Sequence, residues 1–179
     1  MTSYHAVLAA LLTGLGLSLA VVKEAAATGF LKEQILASTI QIEAYDDIRS
    51  DGGVIHSQME RGLGTLVEHH GQLFIMTHNH WRTAHADLDW VELYDGYGRL
   101  LVALDGATFT SMMRFHDAGT LLIAAPADLS ARTPVSLGDS SDVVSGDSLW
   151  ITTRDEKKDR TLHISPATVK QPGGCLLYT

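Results

Sequence analysis

The stretch 62–81, GLGTLVEHHGQLFIMTHNHW, limits what this chain can fold into more than any other. It holds two short apolar runs, 63–67 and 73–76, joined by the polar turn Glu68-His69-His70-Gly71. Runs of this length with a glycine-containing turn read as a β-hairpin. Gly62 and Gly64, at the first strand's start, mark close backbone approach or a bulge. The second run breaks off into Thr77-His78-Asn79-His80-Trp81. A buried strand that ends abruptly in an imidazole-bearing loop suits chemistry, because the strand fixes the backbone while the loop exposes the side chain.

The neighbouring segments repeat the β pattern. Residues 35–45, ILASTIQIEAY, alternate, with Ser38, Ile40, Ile42 and Ala44 on one face and Thr39, Gln41, Glu43 and Tyr45 on the other. Period two predicts a half-buried strand. Residues 46–53 are polar and predict a loop. The segments 90–93 and 99–104 flank Tyr94-Asp95-Gly96-Tyr97-Gly98, a strong hairpin signal. Residues 107–116 alternate as a further strand, and 120–125, TLLIAA, read as a central strand closed by Pro126. About six strands between 35 and 125, with regular turn signals, suggest an antiparallel barrel or sandwich. Residues 127–134 read as a linker. Beyond it, 148–153 and 161–169 form two more strands around the charged turn 154–160, which predicts a solvated tip. Two or three strands cannot close a second barrel.

Thirteen Lys and Arg against twenty-one Asp and Glu leave a formal charge of −8. That balance disfavours nucleic acid and anionic membrane surfaces, which select basic patches. Cys175 is the single cysteine, so no internal disulfide forms and packing must hold the core. Residues 6–22, AVLAALLTGLGLSLAVV, are almost continuously apolar and lead to Ala25-Ala26-Ala27. This reads as a cleaved signal peptide in preference to an uncleaved membrane anchor, although MTSYH lacks the usual basic start. Either reading puts the rest of the chain outside the cytoplasm: secreted, periplasmic or anchored on the outer side. The expected organisation is a leader over 1–27, a β lobe over 28–126, a linker over 127–134 and an incomplete second lobe over 135–179.

His80 and Asp117 carry a resemblance. Gly62-x-Gly64, then Thr77-His78-Asn79-His80, resembles the trypsin-like (chymotrypsin-fold) serine peptidases, most closely the cysteine-poor bacterial branch with the HtrA proteases. Asp117 ahead of the apolar run 120–125 resembles that family's acid, although Ala118-Gly119-Thr120 stands where the run usually follows directly. Leu137-Gly138-Asp139-Ser140, Val143, Val144 and Gly146-Asp147 resemble the entry to its second barrel. The likeness covers about 35–170. It implies an all-β fold, an antiparallel six-stranded barrel of the chymotrypsin type followed by an incomplete second barrel. It also implies peptide-bond hydrolysis on a polypeptide substrate without metal or cofactor, with His80 as general base and Asp117 holding its tautomer. The family's late Gly-Asp-Ser-Gly-Gly, whose backbone N–H groups form the oxyanion hole, does not occur in the sequence. Ser148, in Gly146-Asp147-Ser148-Leu149, runs straight into an apolar strand and reads as a structural turn. The expectation is therefore a truncated or degenerate peptidase homologue with little or no activity.

Two other readings compete. Thr77-His78-Asn79-His80 also resembles the metallo-β-lactamase motif Thr-His-x-His-x-Asp-His, which would make His78 and His80 zinc ligands. Arg82 stands where the acid belongs and Thr83 where the next histidine belongs, and a cation there repels the metal. The third reading is a secreted β-barrel used only for binding.

Overall fold

The structure is a computed structural model and describes residues 29–50, 52–78, 88–115, 119–137, 142–155 and 160–170. The leader segment lies outside the described residues, and among those described no helix is long and apolar enough to cross a membrane. The chain divides into two compact units, Met1–Ile35 and Leu36–Thr179.

Residues 29–38 are helical (α1), so the alternating strand begins at Thr39 and not at residue 35. The second unit is mostly β. Seven strands form one antiparallel sheet: β1 (Thr39–Ser50), β2 (Gly53–His69), β3 (Gln72–His78), β4 (Trp90–Asp95), β5 (Leu100–Asp105), β6 (Met113–Phe115) and β7 (Thr120–Ala124). Their order is β5-β4-β1-β2-β3-β7-β6. The antiparallel all-β expectation holds broadly. The closed six-stranded barrel does not appear as a ladder: β5 and β6 end the strand order, and no pairing joins them among the described residues. A separate hairpin, β8 (Ser148–Arg154) with β9 (Leu162–Thr168), makes a two-stranded sheet.

Two sequence expectations are corrected. Most of the loop expected over 46–53 is paired strand: β1 runs on to Ser50 and β2 starts at Gly53, with Asp46 opposite Ser57 and Ser50 opposite Gly53. Backbone ladder bonds need no apolar side chains, so a polar segment can extend a hairpin. The second correction is at 107–116, which is not one strand. Gly106–Ser111 is a short helix (α2), followed by β6. Asp105 caps it, accepting the Thr108 N–H at 2.8 Å and the Thr108 hydroxyl at 2.6 Å. An Asp in that position satisfies an otherwise unpaired first-turn donor and starts a helix whatever the downstream alternation suggests. Gly106 is required there, since a Cβ would sit 1.7 Å from the Leu88 carbonyl oxygen.

The core lies on one face of the sheet. Ile40, Ile42 and Ala44 of β1, Leu66 of β2, Ile75 of β3, Val91 and Leu93 of β4, and Leu121 and Ile123 of β7 are all buried. Phe109 of α2 and Leu129, in the 3-10 turn Ala127–Leu129, join the same cluster. The segment read as a linker, 127–134, is tied to the sheet: Leu129 belongs to the core cluster and Arg132 pairs with Asp95 of β4 at 3.0 Å.

Phe109 is fully buried and is the one large side chain that α2 gives the core. Phe109→Ala is expected to lower unfolding stability by about 3–5 kcal/mol. Leu137→Ala, at an exposed position, should stay within about 0.5 kcal/mol. Urea titration of both variants checks the pair.

Candidate functional site

The β2–β3 hairpin forms where expected. His70 and Gly71 both take positive φ, 51° and 75°, and form a two-residue turn between His69 and Gln72. That is the turn type whose twist matches antiparallel strands. Gly64 is needed for close approach, as a Cβ there would lie 2.4 Å from Ile75 Cγ2. At the far end of β3, Thr77 is buried and its hydroxyl donates to the Leu63 carbonyl at 2.8 Å. This bond fixes the last turn of pleat before the candidate loop. His78 follows, exposed.

His80 and Asp117 both lie outside the described residues. Their flanks are described. His78, the last residue of β3, is the Cα partner of Thr120, the first residue of β7. The segment leaving β3 and the segment entering β7 therefore start from one end of two adjacent strands. The same limit applies to the zinc reading: His78 is described and His80 is not. Among the described residues no group of three or more His, Cys, Asp or Glu is arranged to hold a metal ion.

Ser148 is the first residue of β8, paired with Thr168. The Val144 N–H donates to Asp147 Oδ2 at 2.9 Å, Gly146 has φ 99°, and its N–H donates to the Val169 carbonyl at 2.8 Å. Gly146-Asp147-Ser148 is thus a hydrogen-bonded turn that feeds a strand.

The sequence reading missed the largest electrostatic feature. Glu43, on the face of β1 opposite the core, is only 1% exposed. Its carboxylate accepts hydrogen bonds from Arg154, from Arg160 at 2.8 and 3.1 Å, and from the Tyr45 hydroxyl at 2.6 Å. The Arg160 guanidinium also lies over the Tyr94 ring, 3.8 Å from its centroid, and donates to the Tyr94 hydroxyl at 2.7 Å. Tyr94 in turn donates to Glu92. Residues 154 and 160, read as parts of a solvated tip, are therefore engaged. Arg154 is 9% exposed, and its Nε and Nη1 have no protein partner. Beside this cluster, Gln41 Nε2 donates to the carbonyls of Asp95 and Arg160, both at 3.0 Å. The fully buried Asp95 accepts from the backbone N–H groups of Tyr97 and Arg99 and pairs with Arg99 and Arg132.

The signal for this cluster was in the strand pattern. Glu43 sits between Ile42 and Ala44, and an acid on a strand's second face is buried only if a later segment supplies cations. Neither the spacing of 154 and 160 nor their charge identifies that partner in advance.

Desolvation pushes the Glu43 carboxyl up, but the hydrogen bonds from Arg160, Tyr45 and Arg154 outweigh it and hold the pKa at about 2. Burial, with the Glu92 hydrogen bond, pushes the Tyr94 phenol up to about 12. The network joins Glu43 of the sheet to Arg154 and Arg160 of the hairpin, and its arrangement is that of a clamp between the two.

The chain matches no protein-family model and no curated protein.

Glu43 is depressed in the folded state from 4.5 to about 2. Its contribution is therefore present above pH 4.5 and is lost as pH falls toward 2. That loss should amount to about 3 kcal/mol over the window. Glu43→Gln leaves two cations without their counter-ion and should cost about 3–5 kcal/mol at pH 7. It should also flatten the acid limb, which denaturant titration from pH 7 to pH 2.5 would detect.

Proposed function

We propose that the chain is a homologue of the trypsin-like serine endopeptidases, exported from the cytoplasm, with His80 as general base and Asp117 as the acid that orients it. The observation that carries this reading is the pairing of His78 with Thr120. His80 is two residues past one end of that pair and Asp117 is three residues before the other. With about 3.3 Å of reach per residue and about 5 Å between ladder partners, an imidazole and a carboxylate on these two segments can meet. A neutral imidazole so held takes a proton from a hydroxyl nucleophile, and the carboxylate stabilises the imidazolium that results.

The strand order supports the finer fold reading. β5 and β6, the two ends of the order, are consecutive in the chain with only α2 and Met112 between them. Counted as one position in the strand order, interrupted by α2, β5 and β6 would bridge β4 and β7 and close a six-stranded barrel of the chymotrypsin type. The β8–β9 hairpin then stands as the opening of a second lobe. The apolar segment 6–22 supports export, and a polypeptide is the substrate class that the reading implies.

None of the 179 residues supplies Gly-Asp-Ser-Gly-Gly. The reading therefore assigns no nucleophile and expects no peptidase turnover from this chain alone. A fluorophosphonate probe should leave the protein unlabelled, and covalent labelling of Ser148 or any other serine would overturn that part. The base–acid pair is tested separately by NMR titration of the His80 ring. A nearby carboxylate favours the imidazolium, so His80 should titrate at lower pH in Asp117→Asn than in the parent protein. Coincident titration curves for the two proteins would sink the assignment.

A further inference from the structure

β3 has a second functional end. Opposite its His78 terminus, where it leaves the β2–β3 turn, a cleft of about 740 Å³ opens on the outer face of the sheet. Its floor is Phe74 of β3 with Leu122 and Ala124 of β7, and Phe74 and Ala124 are ladder partners. These side chains face away from the core, since the alternate residues Ile75, Leu121 and Ile123 are the buried ones. Pro126 and the turn after it form one wall, and Arg114, opposite Leu122 in the β6–β7 ladder, forms another.

Among the described residues Arg114 is the one charged side chain lining the cleft. It is positioned by its own backbone: Nη1 donates to the Ser111 carbonyl at 2.7 Å and the Met113 carbonyl at 2.8 Å. No carboxylate pairs with it among the described residues. The contrast with Arg154 and Arg160 is direct, because both of these pair with the Glu43 carboxylate within the chain. In a chain of formal charge −8, a held cation at the edge of an apolar floor makes a local anion-attracting spot in a field that otherwise repels anions.

We propose that this cleft binds a small amphipathic monocarboxylate, its carboxylate on the Arg114 guanidinium and its apolar chain over Phe74, Leu122 and Ala124. The size and lining suit it: small-molecule sites are typically mostly apolar cavities of about 300–1,000 Å³ with a few placed polar groups. The guanidinium suits the head group, since its planar N–H donors match two carboxylate oxygens. The two floor strands leave no edge for a strand-adding peptide. β3 is bonded on both sides by β2 and β7, and β7 by β3 and β6, so the floor offers no free strand edge. A ligand here must gain its affinity from apolar contact and one charged head.

The site is independent of the proposed peptidase reading and is tested on the full chain by calorimetric titration. Decanoate, kept below its micellar concentration, should bind saturably with one site per chain. Acetate, lacking the tail, should show no binding, and decanol, lacking the charge, should bind at least tenfold more weakly than decanoate. Arg114→Gln should weaken decanoate about tenfold or more and leave decanol unchanged, with the melting temperature as a check that the fold persists. Ala124→Trp, which fills the floor, should abolish binding of both. Absence of saturable decanoate binding, or Arg114→Gln and Ala124→Trp variants that retain parental affinity, would overturn the proposal.

Discussion

The burial of β1 on both faces is the constraint from which the second unit is built. Its inward side chains, Ile40, Ile42 and Ala44, pack into the core. Its outward side chains, Gln41 and Glu43, are equally inaccessible. Removing a carboxylate from water is tolerable only if cations and donors replace the water. Arg154, Arg160 and Tyr45 do so, and both arginines come from the hairpin end near β8 and β9. An isolated two-stranded hairpin is marginal in water. Here it is pinned to the sheet by the charge that the sheet could not bury alone. Specificity of docking follows, because sliding the hairpin would strand Glu43 or one of its arginines without a partner.

β3 organises the rest. It lies between β2 and β7, and its two ends have different chemistry. At one end Thr77 locks the last residues to Leu63, and the chain leaves beside the entry to β7. At the other end the tight His70-Gly71 turn and the segment following β7 leave an apolar cleft beside a held guanidinium. β3 is hydrogen-bonded along both edges, by β2 and by β7.

Much of this was legible in the chain. The β2–β3 hairpin followed from two apolar runs about a glycine turn, and the β4–β5 hairpin from Asp95 through Gly98. In the latter, Asp95 accepts the Tyr97 and Arg99 N–H groups and closes the turn itself. The strand β7 and the β8–β9 pair were equally plain. The errors have physical causes. Residues 107–116 alternate, but Asp105 and Thr108 form a cap, and local capping outweighed a weak pattern. Residues 46–53 look like loop because ladder bonds are invisible in side-chain hydropathy.

For β1 the sequence by itself determined which residues face the core, because period-two alternation has only two phases and one of them is apolar; the continuous apolar runs of β3 and β7 left that phase open. It also determined the turns, because only certain residues tolerate left-handed backbone or cap their own amides. Only the tertiary structure decided which strands are neighbours, what covers the second face of β1, and which cations meet Glu43. Those choices join residues more than a hundred positions apart. No local propensity encodes such a pairing; it is selected because every alternative leaves a buried charge unmatched.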